Sequence, residues 1–451
     1  MKDIALLPKT AIKEKQKNKQ TATEWLWLRE VSLGGWMLMG LTLLLTASAF
    51  KSLRIPVGGL MLHLYMIPLI PLFILYAIPR FELFPKRILY SIGAFVFLFF
   101  LSVTVSDSSD TRLAMSEIFK VGSNVVTIFT CALMVRTKFD YRIAVIGFCI
   151  AAAILSLQNI LAPGTTFGSE ESVDTIGETI ANKNAFSLYV LPLLLLGSYL
   201  VLDRTVAKIL RIILLCTLFV TTIAIFASGN RSGWIGVLFI GCVILARGRS
   251  IKSVLLICVL AMGTYYALTK YVGTEIIERK IDQTSLDNES DETRYELIPT
   301  AFQVALDNPL FGVSPQDLPL ELGRRLPDEA VLANETLLLD PHNVIAFILA
   351  GSGFPCFFAF LFLGWTLWER PKQWNVLSQI SDAKDSHTLL RAMMFLWLLR
   401  GMFTREILYS PGFSIGLGLC IGFCISQGLW IPKAVDLYRL KLLMQKLRPL
   451  K

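Results

Sequence analysis

The sequence predicts an all-α fold: a polytopic membrane helix bundle of about 12 transmembrane helices with one large extracytoplasmic helical loop. Three observations carry that expectation. Of 451 residues, 54% are hydrophobic and only 17% are charged, against about 25% charged in an ordinary soluble domain. The apolar residues arrive as separated runs of about 20, the length that crosses a hydrocarbon layer about 30 Å thick. The Lys and Arg excess, a formal +9, sits in short clusters between alternate runs. A nucleic-acid binder needs its basic residues on one exposed face or stripe, so that class is excluded.

Residues 1–30 form a basic, polar N-terminal segment without the short apolar core and small-residue cleavage site of a removable signal. Apolar runs follow at 33–50, 57–79, 88–106, 118–135, 143–162, 184–202, 209–228, 232–246 and 252–269, giving a nine-span region over 31–269. A large loop occupies 270–342. Runs at 343–368, 389–405 and 411–432 make three more spans over 343–432, and 433–451 is a basic tail. The eight cysteines all lie inside apolar runs, which supports neither a disulfide framework nor a zinc site.

Orientation follows from the charges. With the N-terminus cytoplasmic, the inner segments carry Lys13, Lys15, Lys17 and Lys19, then Arg80, Lys86 and Arg87, then Arg136, Lys138 and Arg142. Arg204, Lys208 and Arg211, then Arg247, Arg249 and Lys252, then Arg370 and Lys372 continue the series to a basic tail. The intervening loops lean acidic, as the positive-inside rule requires, with both termini cytoplasmic. Trp25, Trp27 and Trp36 beside the first span, and Trp365 and Trp368 near the inner end of the tenth, suit interfacial anchors. In the large loop Leu297, Ile298, Ala301, Phe302 and Ala305 recur at helical spacing. Thr293 or Asp291 is the candidate cap, Pro299 falls in the first turn or two, and Pro309 lies beyond the end.

A few polar residues stand out against this background. Arg231 lies in Ser228-Gly229-Asn230-Arg231-Ser232-Gly233-Trp234, squeezed between two apolar runs. A guanidinium at mid-bilayer costs about 2.5–3.5 kcal/mol on insertion scales, so an anionic partner is expected, with the flanking glycines and serines allowing close approach. The competing reading is an arginine that snorkels to lipid headgroups. His342, in Asp340-Pro341-His342-Asn343, is the one histidine this topology places outside the cytoplasm and the spans, and its ordinary pKa near 6.5 suits a proton acceptor. A capping or packing histidine is the bland alternative, with Asn343 orienting the ring or binding a sugar hydroxyl. Arg294, Arg324, Arg325, Arg400 and Arg405 face the same side, and Arg is suited to bidentate phosphate recognition. Arg324 and Arg325 read equally well as ion pairs on a solvated helix face. Arg400 and Arg405 flank the end of a span, where unpaired charge is costly.

Together these residues resemble the O-antigen ligase and polymerase superfamily over most of residues 30–430. Four stretches carry the likeness: Ala181-Asn182-Lys183-Asn184-Ala185-Phe186; Asn230-Arg231-Ser232-Gly233-Trp234; Arg294 with Asn308-Pro309-Leu310-Phe311-Gly312-Val313; and Pro341-His342-Asn343. Two positions depart from the family pattern. Asp340 stands where ligases often carry a second histidine, and Ser314 where a glycine commonly follows the Gly-Val pair.

The resemblance implies an integral glycosyltransferase of the bacterial inner membrane, multi-pass, with its site on the extracytoplasmic face. It would move a glycan from an undecaprenyl-diphosphate carrier to an acceptor hydroxyl on a glycan or lipid, with inversion, no cofactor and no metal. On that expectation Arg231, Arg294, Arg400 and Arg405 hold the diphosphate, His342 is the catalytic base, and Asn343, Asn184 and Asn230 contact or orient substrate. A polysaccharide polymerase of the same superfamily is the first alternative. A solute or ion permease is the second, for which the spans offer only Lys120 and His63 as interior ionisable candidates.

Overall fold

The computed structural model describes residues 26–44, 54–57, 60–105, 111–161, 183–203, 205–228, 230–248, 289–326, 341–370 and 381–430. Every apolar run except 252–269, which lies outside the described residues, falls wholly or partly on a described element. Ordered along the chain, the helices are α1 Leu33–Leu43, α2 Met66–Leu83, α3 Lys86–Val105, α4 Thr111–Met134, α5 Lys138–Leu161, α6 Lys183–Leu202, α7 Lys208–Ala227 and α8 Arg231–Gly248. They continue with α9 Glu289–Asp307, α10 Leu318–Arg325, α11 Val344–Trp368, α12 Ser381–Gly401 and α13 Pro411–Ser426. Helices suit a lipid environment because each satisfies its own backbone. Among the described residues six are long and apolar enough to cross a membrane, and four more are apolar but shorter. Since α12 opens with two polar turns, length and apolarity alone do not reach the twelve spans expected from the runs.

One expected span begins differently. Arg54–Val57 and Leu60–His63 form an antiparallel hairpin, β1 and β2, with Arg54 opposite His63 and Val57 opposite Leu60. Pro56 breaks helical continuity there, and the sequence puts Gly58-Gly59 between the strands, the pair that two-residue hairpin connections favour. His63 therefore ends a strand instead of sitting inside a helical span.

Close helix contact in a membrane comes from small residues, because lipid offers no hydrophobic drive between apolar helices. α13 uses two such pairs. A Cβ at Gly412 would lie 2.7 Å from Tyr189 Cα and one at Gly416 2.9 Å from Pro192 Cβ, so this face meets α6. Gly418 and Gly422 meet α4 the same way, 2.8 Å from Cys131 Cβ and 2.5 Å from the Ala132 carbonyl. α13 is thereby the shared wall between α4 and α6.

The large loop docks onto a break in α11. Gly353 adopts φ 77° and ψ 174° inside that helix. An unbroken helix would have joined the Phe354 N–H to the Ala350 carbonyl. Instead Phe354 N–H donates to the Pro309 carbonyl at 2.9 Å, and the Ala350 carbonyl accepts from Val313 N–H at 3.1 Å. Residues 309–313 thus satisfy both groups that the kink releases. Upstream, α9 starts at Glu289 and not at a cap on Asp291 or Thr293, since the acidic residues Glu289, Asp291 and Glu292 suit a helix N-terminus. This earlier start moves Pro299 to the third turn, where it is exposed; Leu297, Ala301, Val304 and Ala305 form the buried stripe, leaving Ile298 and Phe302 exposed.

At one end of the bundle ion pairs tie helix ends together: Lys138 with Asp382 at 3.2 Å, Arg247 with Asp385 at 2.8 Å, Arg142 with Asp203 at 2.7 Å, and Arg87 with Glu369. Burial alone would raise the Asp203 carboxyl. The Thr205 backbone N–H, the Arg142 guanidinium and the Thr205 hydroxyl outweigh burial and hold it below the usual carboxylate value.

Gly418→Leu should lower the thermal unfolding temperature in detergent and reduce the folded yield, because overpacking of this kind costs about 1–3 kcal/mol. A depressed folded pKa means that Asp203 contributes stability above its unfolded value of about 3.9 and loses it as pH falls through the lower folded value. Unfolding temperatures measured from pH 7 to pH 3 should therefore drop more steeply at the acid end for the parent protein than for Asp203→Asn.

Candidate functional site

The other end of the bundle is organised around a buried guanidinium. Arg400, the penultimate residue of α12, is 0% exposed. Its Nη2 donates to Ser187 Oγ on α6 at 2.8 Å, and its Nη1 donates to Ser232 Oγ on α8. Ser187 Oγ also accepts from Asn230 Nδ2 at 3.1 Å, and Asn230 Oδ1 accepts from the Ser232 hydroxyl at 2.7 Å. Four side chains from three helices thus close a ring of hydrogen bonds. Arg400 Nε is buried and has no hydrogen-bond partner among the described residues.

This ring fixes where α8 begins. Asn230 Oδ1 accepts from Gly233 N–H at 3.1 Å, the contact of an N-cap. Arg231 is then the first helical residue, placed beside a capped N-terminus that is tied to Arg400. Three other helices start nearby. Ser410 caps α13 through Phe413 N–H at 3.3 Å while its hydroxyl donates to the Leu188 carbonyl of α6 at 3.2 Å. Asn343 caps α11, accepting from Ile345 N–H at 2.9 Å and Ala346 N–H at 3.1 Å. Its Nδ2 donates to the Met402 carbonyl at 3.5 Å, and Gly401 packs against Val344. The starts of α6, α8, α11 and α13 therefore gather around residues 400–410. Each start carries about half a positive charge, which makes this end receptive to anions.

His342 directly precedes the α11 cap. It is half-buried and adopts φ 46°, a left-handed conformation in which His is enriched among residues with a Cβ. Buried Pro341 and Asn343 flank it and hold the turn. Arg405 opens a 3-10 turn, Arg405–Tyr409, capped by Thr404. Its guanidinium carbon sits 4.9 Å from the ring centre of Phe347, one turn into α11. Phe347 packs edge-on to Tyr409, whose hydroxyl donates to Glu117, and Glu117 pairs with Lys120 at 2.8 Å. Lys120, considered from sequence as a midplane charge, is therefore an ion-pair partner at the site end of α4.

The structure brings His342, Asn343, Asn230, Arg400 and Arg405 to one end of the bundle. The backbones of Arg231 and Asn184 lie there too, in the first turns of α8 and α6, and Arg294 lies in the second turn of α9, which packs on α11; the side chains of these three are outside those described. Both Asn230 and Asn343 are helix caps, and Arg400 is occupied at Nη1 and Nη2. Arg325 pairs with Glu321 on its own helix at 2.8 Å and with Asp307, bracing α9 against α10, while Arg324 lies 4.0 Å from Glu321 within α10. Sequence reasoning missed Ser187, although it lies one turn after Asn184 as a small polar residue in an apolar run. It also gave Ser232 no role of its own.

Residues 216–361 match the family described as O-antigen ligase. That stretch, about a third of the chain, contains Asn230 to Trp234, Arg294, the 308–313 element and the Pro341-His342-Asn343 turn. The match supports kinship with the O-antigen ligase and polymerase superfamily, and with it a membrane glycan-processing activity. No individual curated protein matches the chain.

Ser314, the departure after Gly-Val, adopts φ 79°, and its buried hydroxyl has no hydrogen-bond partner among the described residues. Glycine is the residue this backbone favours. Ser314→Gly should stabilise the protein by about 1–2 kcal/mol, as strain and an unpaired hydroxyl are removed against a smaller chain-entropy cost. A higher unfolding temperature in detergent checks it, and an unchanged or lower one counts against the strain assignment.

Proposed function

We propose that the protein is an integral membrane glycosyltransferase that moves a glycan from an undecaprenyl-diphosphate carrier to an acceptor hydroxyl, inverting the anomeric centre. The observation that carries this reading is the connection between the ring at Arg400 and the His342 turn: Asn343, next to the histidine, reaches the carbonyl of Met402 two residues beyond the buried arginine.

In the proposed step His342 takes the proton from the acceptor hydroxyl as its oxygen bonds the anomeric carbon. The bond from that carbon to the diphosphate oxygen breaks, and the diphosphate leaves with the electron pair. Its charge is met by Arg231, Arg294 and Arg405 together with the convergent helix starts, so arginines supply the stabilisation and no metal is called for. Arg400 takes a different part from the one its sequence position suggested. With Nη1 and Nη2 held by Ser232 and Ser187, it positions the start of α8, whose first residue is Arg231. The reaction belongs to the extracytoplasmic face of the bacterial inner membrane, with both chain ends cytoplasmic, as the distribution of Lys and Arg argues.

The left-handed backbone at His342 makes Asn the informative replacement, since Asn also tolerates that conformation. His342→Asn should reduce transfer at least 100-fold while leaving expression and thermal unfolding unchanged. Purified protein would be incubated with a polyprenyl-diphosphate glycan and candidate acceptors and the product sized. Full activity in the variant overturns the base assignment. In the parent protein a ladder identifies a polymerase, and a single discrete addition a ligase.

A further inference from the structure

The ion pairs at the end of the bundle opposite His342 leave two neighbouring cations out. Lys138, Arg247, Arg142 and Arg87 each meet a carboxylate there, whereas Arg80, in the last turn of α2, and Arg136, between α4 and α5, meet none among the described residues. The fold nevertheless holds these two together. Arg80 Nη1 donates to the Leu133 carbonyl at 3.2 Å, in the last turn of α4, and the Arg136 guanidinium carbon lies 6.0 Å from the ring centre of Tyr76 in α2. Arg136 is near enough to act on the Arg80 charge. The carboxylate that acts on Arg80 belongs to Asp140, which is 0% exposed. Its oxygens are already taken: Oδ1 accepts from Ser32 N–H at 2.7 Å, and Oδ2 from the N–H groups of Arg136 at 3.1 Å and Thr137 at 3.0 Å. Two guanidiniums against one carboxylate leave a single positive charge uncompensated, with Arg80 half-buried and Arg136 exposed.

Like charges so placed repel, and an anion set between them removes the repulsion. A phosphodiester suits: it carries one negative charge and two free oxygens, which two guanidiniums can take by paired hydrogen bonds. The level is also that of lipid phosphates. α1 and α5 start here and α4 ends here, and Trp36, in the first turn of α1, is exposed as interfacial tryptophans are. We propose that Arg80 and Arg136 clamp the phosphate of an anionic phospholipid in the leaflet at this end of the bundle. A zwitterionic headgroup fits less well, because its ammonium would bring a third cation beside the two arginines. The site is separate from the transferase centre and does not rest on that reading: its lipid joins α2 to the turn between α4 and α5.

The test titrates the full-length protein in detergent with phosphatidylglycerol or with phosphatidylethanolamine of the same acyl chains, and counts bound lipid by native mass spectrometry. The parent protein should bind phosphatidylglycerol about fivefold more tightly than phosphatidylethanolamine, a preference that inorganic phosphate in large excess leaves in place. Arg136→Gln should erase it. That side chain is exposed and its backbone N–H still reaches Asp140, so the variant should unfold at the parent's temperature. Arg136→Glu should erase it too, by setting a carboxylate of the chain beside Arg80. Lys208→Gln removes an exposed charge from the same end, at the start of α7, and should keep the preference. Equal binding of the two lipids, or a preference that survives both Arg136 variants, would overturn the assignment. So would its loss in Lys208→Gln, which would mean a diffuse attraction of the whole face, or displacement of the lipid by inorganic phosphate, which would make the occupant free phosphate.

Discussion

A guanidinium with no exposed surface is the constraint on which the site end of this bundle depends. Burying Arg400 is tolerable because α6 and α8 each present a serine hydroxyl to it and the Glu406 carboxylate is near enough to act on its charge. Asn230 closes the ring, and in doing so caps α8 and fixes its first residue as Arg231. Removing any member would leave buried donors or acceptors unpaired, so the three helices hold one arrangement together. Met402, two residues on, carries the same order to the α11 cap at Asn343, and Arg405 lies over Phe347 in that helix. The diphosphate and proton-transfer roles proposed for this end are thus assigned to parts that are mechanically one unit.

A second constraint comes from the kink. Gly353 breaks α11 where the 309–313 segment supplies a donor and an acceptor for the two groups released. The large loop is consequently part of the bundle's own hydrogen bonding. The α9–α10 pair, braced by Arg325, is held against α11, the helix that the His342 turn leads into. Because α13 reaches both α4 and α6 through paired glycines, the wall under the 405–409 turn is equally fixed.

Much of the architecture was legible in the sequence because apolar runs of span length leave the backbone little choice but helix. The hairpin at 54–63 was not, since a run containing Pro56 and two glycines is still apolar when averaged over a window. The α9 stripe was readable from spacing, whereas its start was obscured by acidic residues that resemble a loop until the helix dipole is counted. Candidate site residues were legible by type: Arg400, His342 and Asn343 are polar groups at the edges of spans. Their partners were harder. Ser187 is an ordinary polar residue within a helix, and only the packing of distant elements shows that it holds a buried arginine. The meaning of Asn230 and Asn343 also needed the fold, because a cap and a ligand look alike in a motif.

The central claim is a direct displacement at this end of the bundle, with His342 as base and the diphosphate as leaving group. The most direct measurement is the anomeric configuration of the new linkage, read by nuclear magnetic resonance on product made by purified protein from a carrier-linked glycan of known configuration. Inversion, with one polyprenyl diphosphate released per linkage formed, is the predicted result. Retention, or linkage formation without diphosphate release, would contradict it.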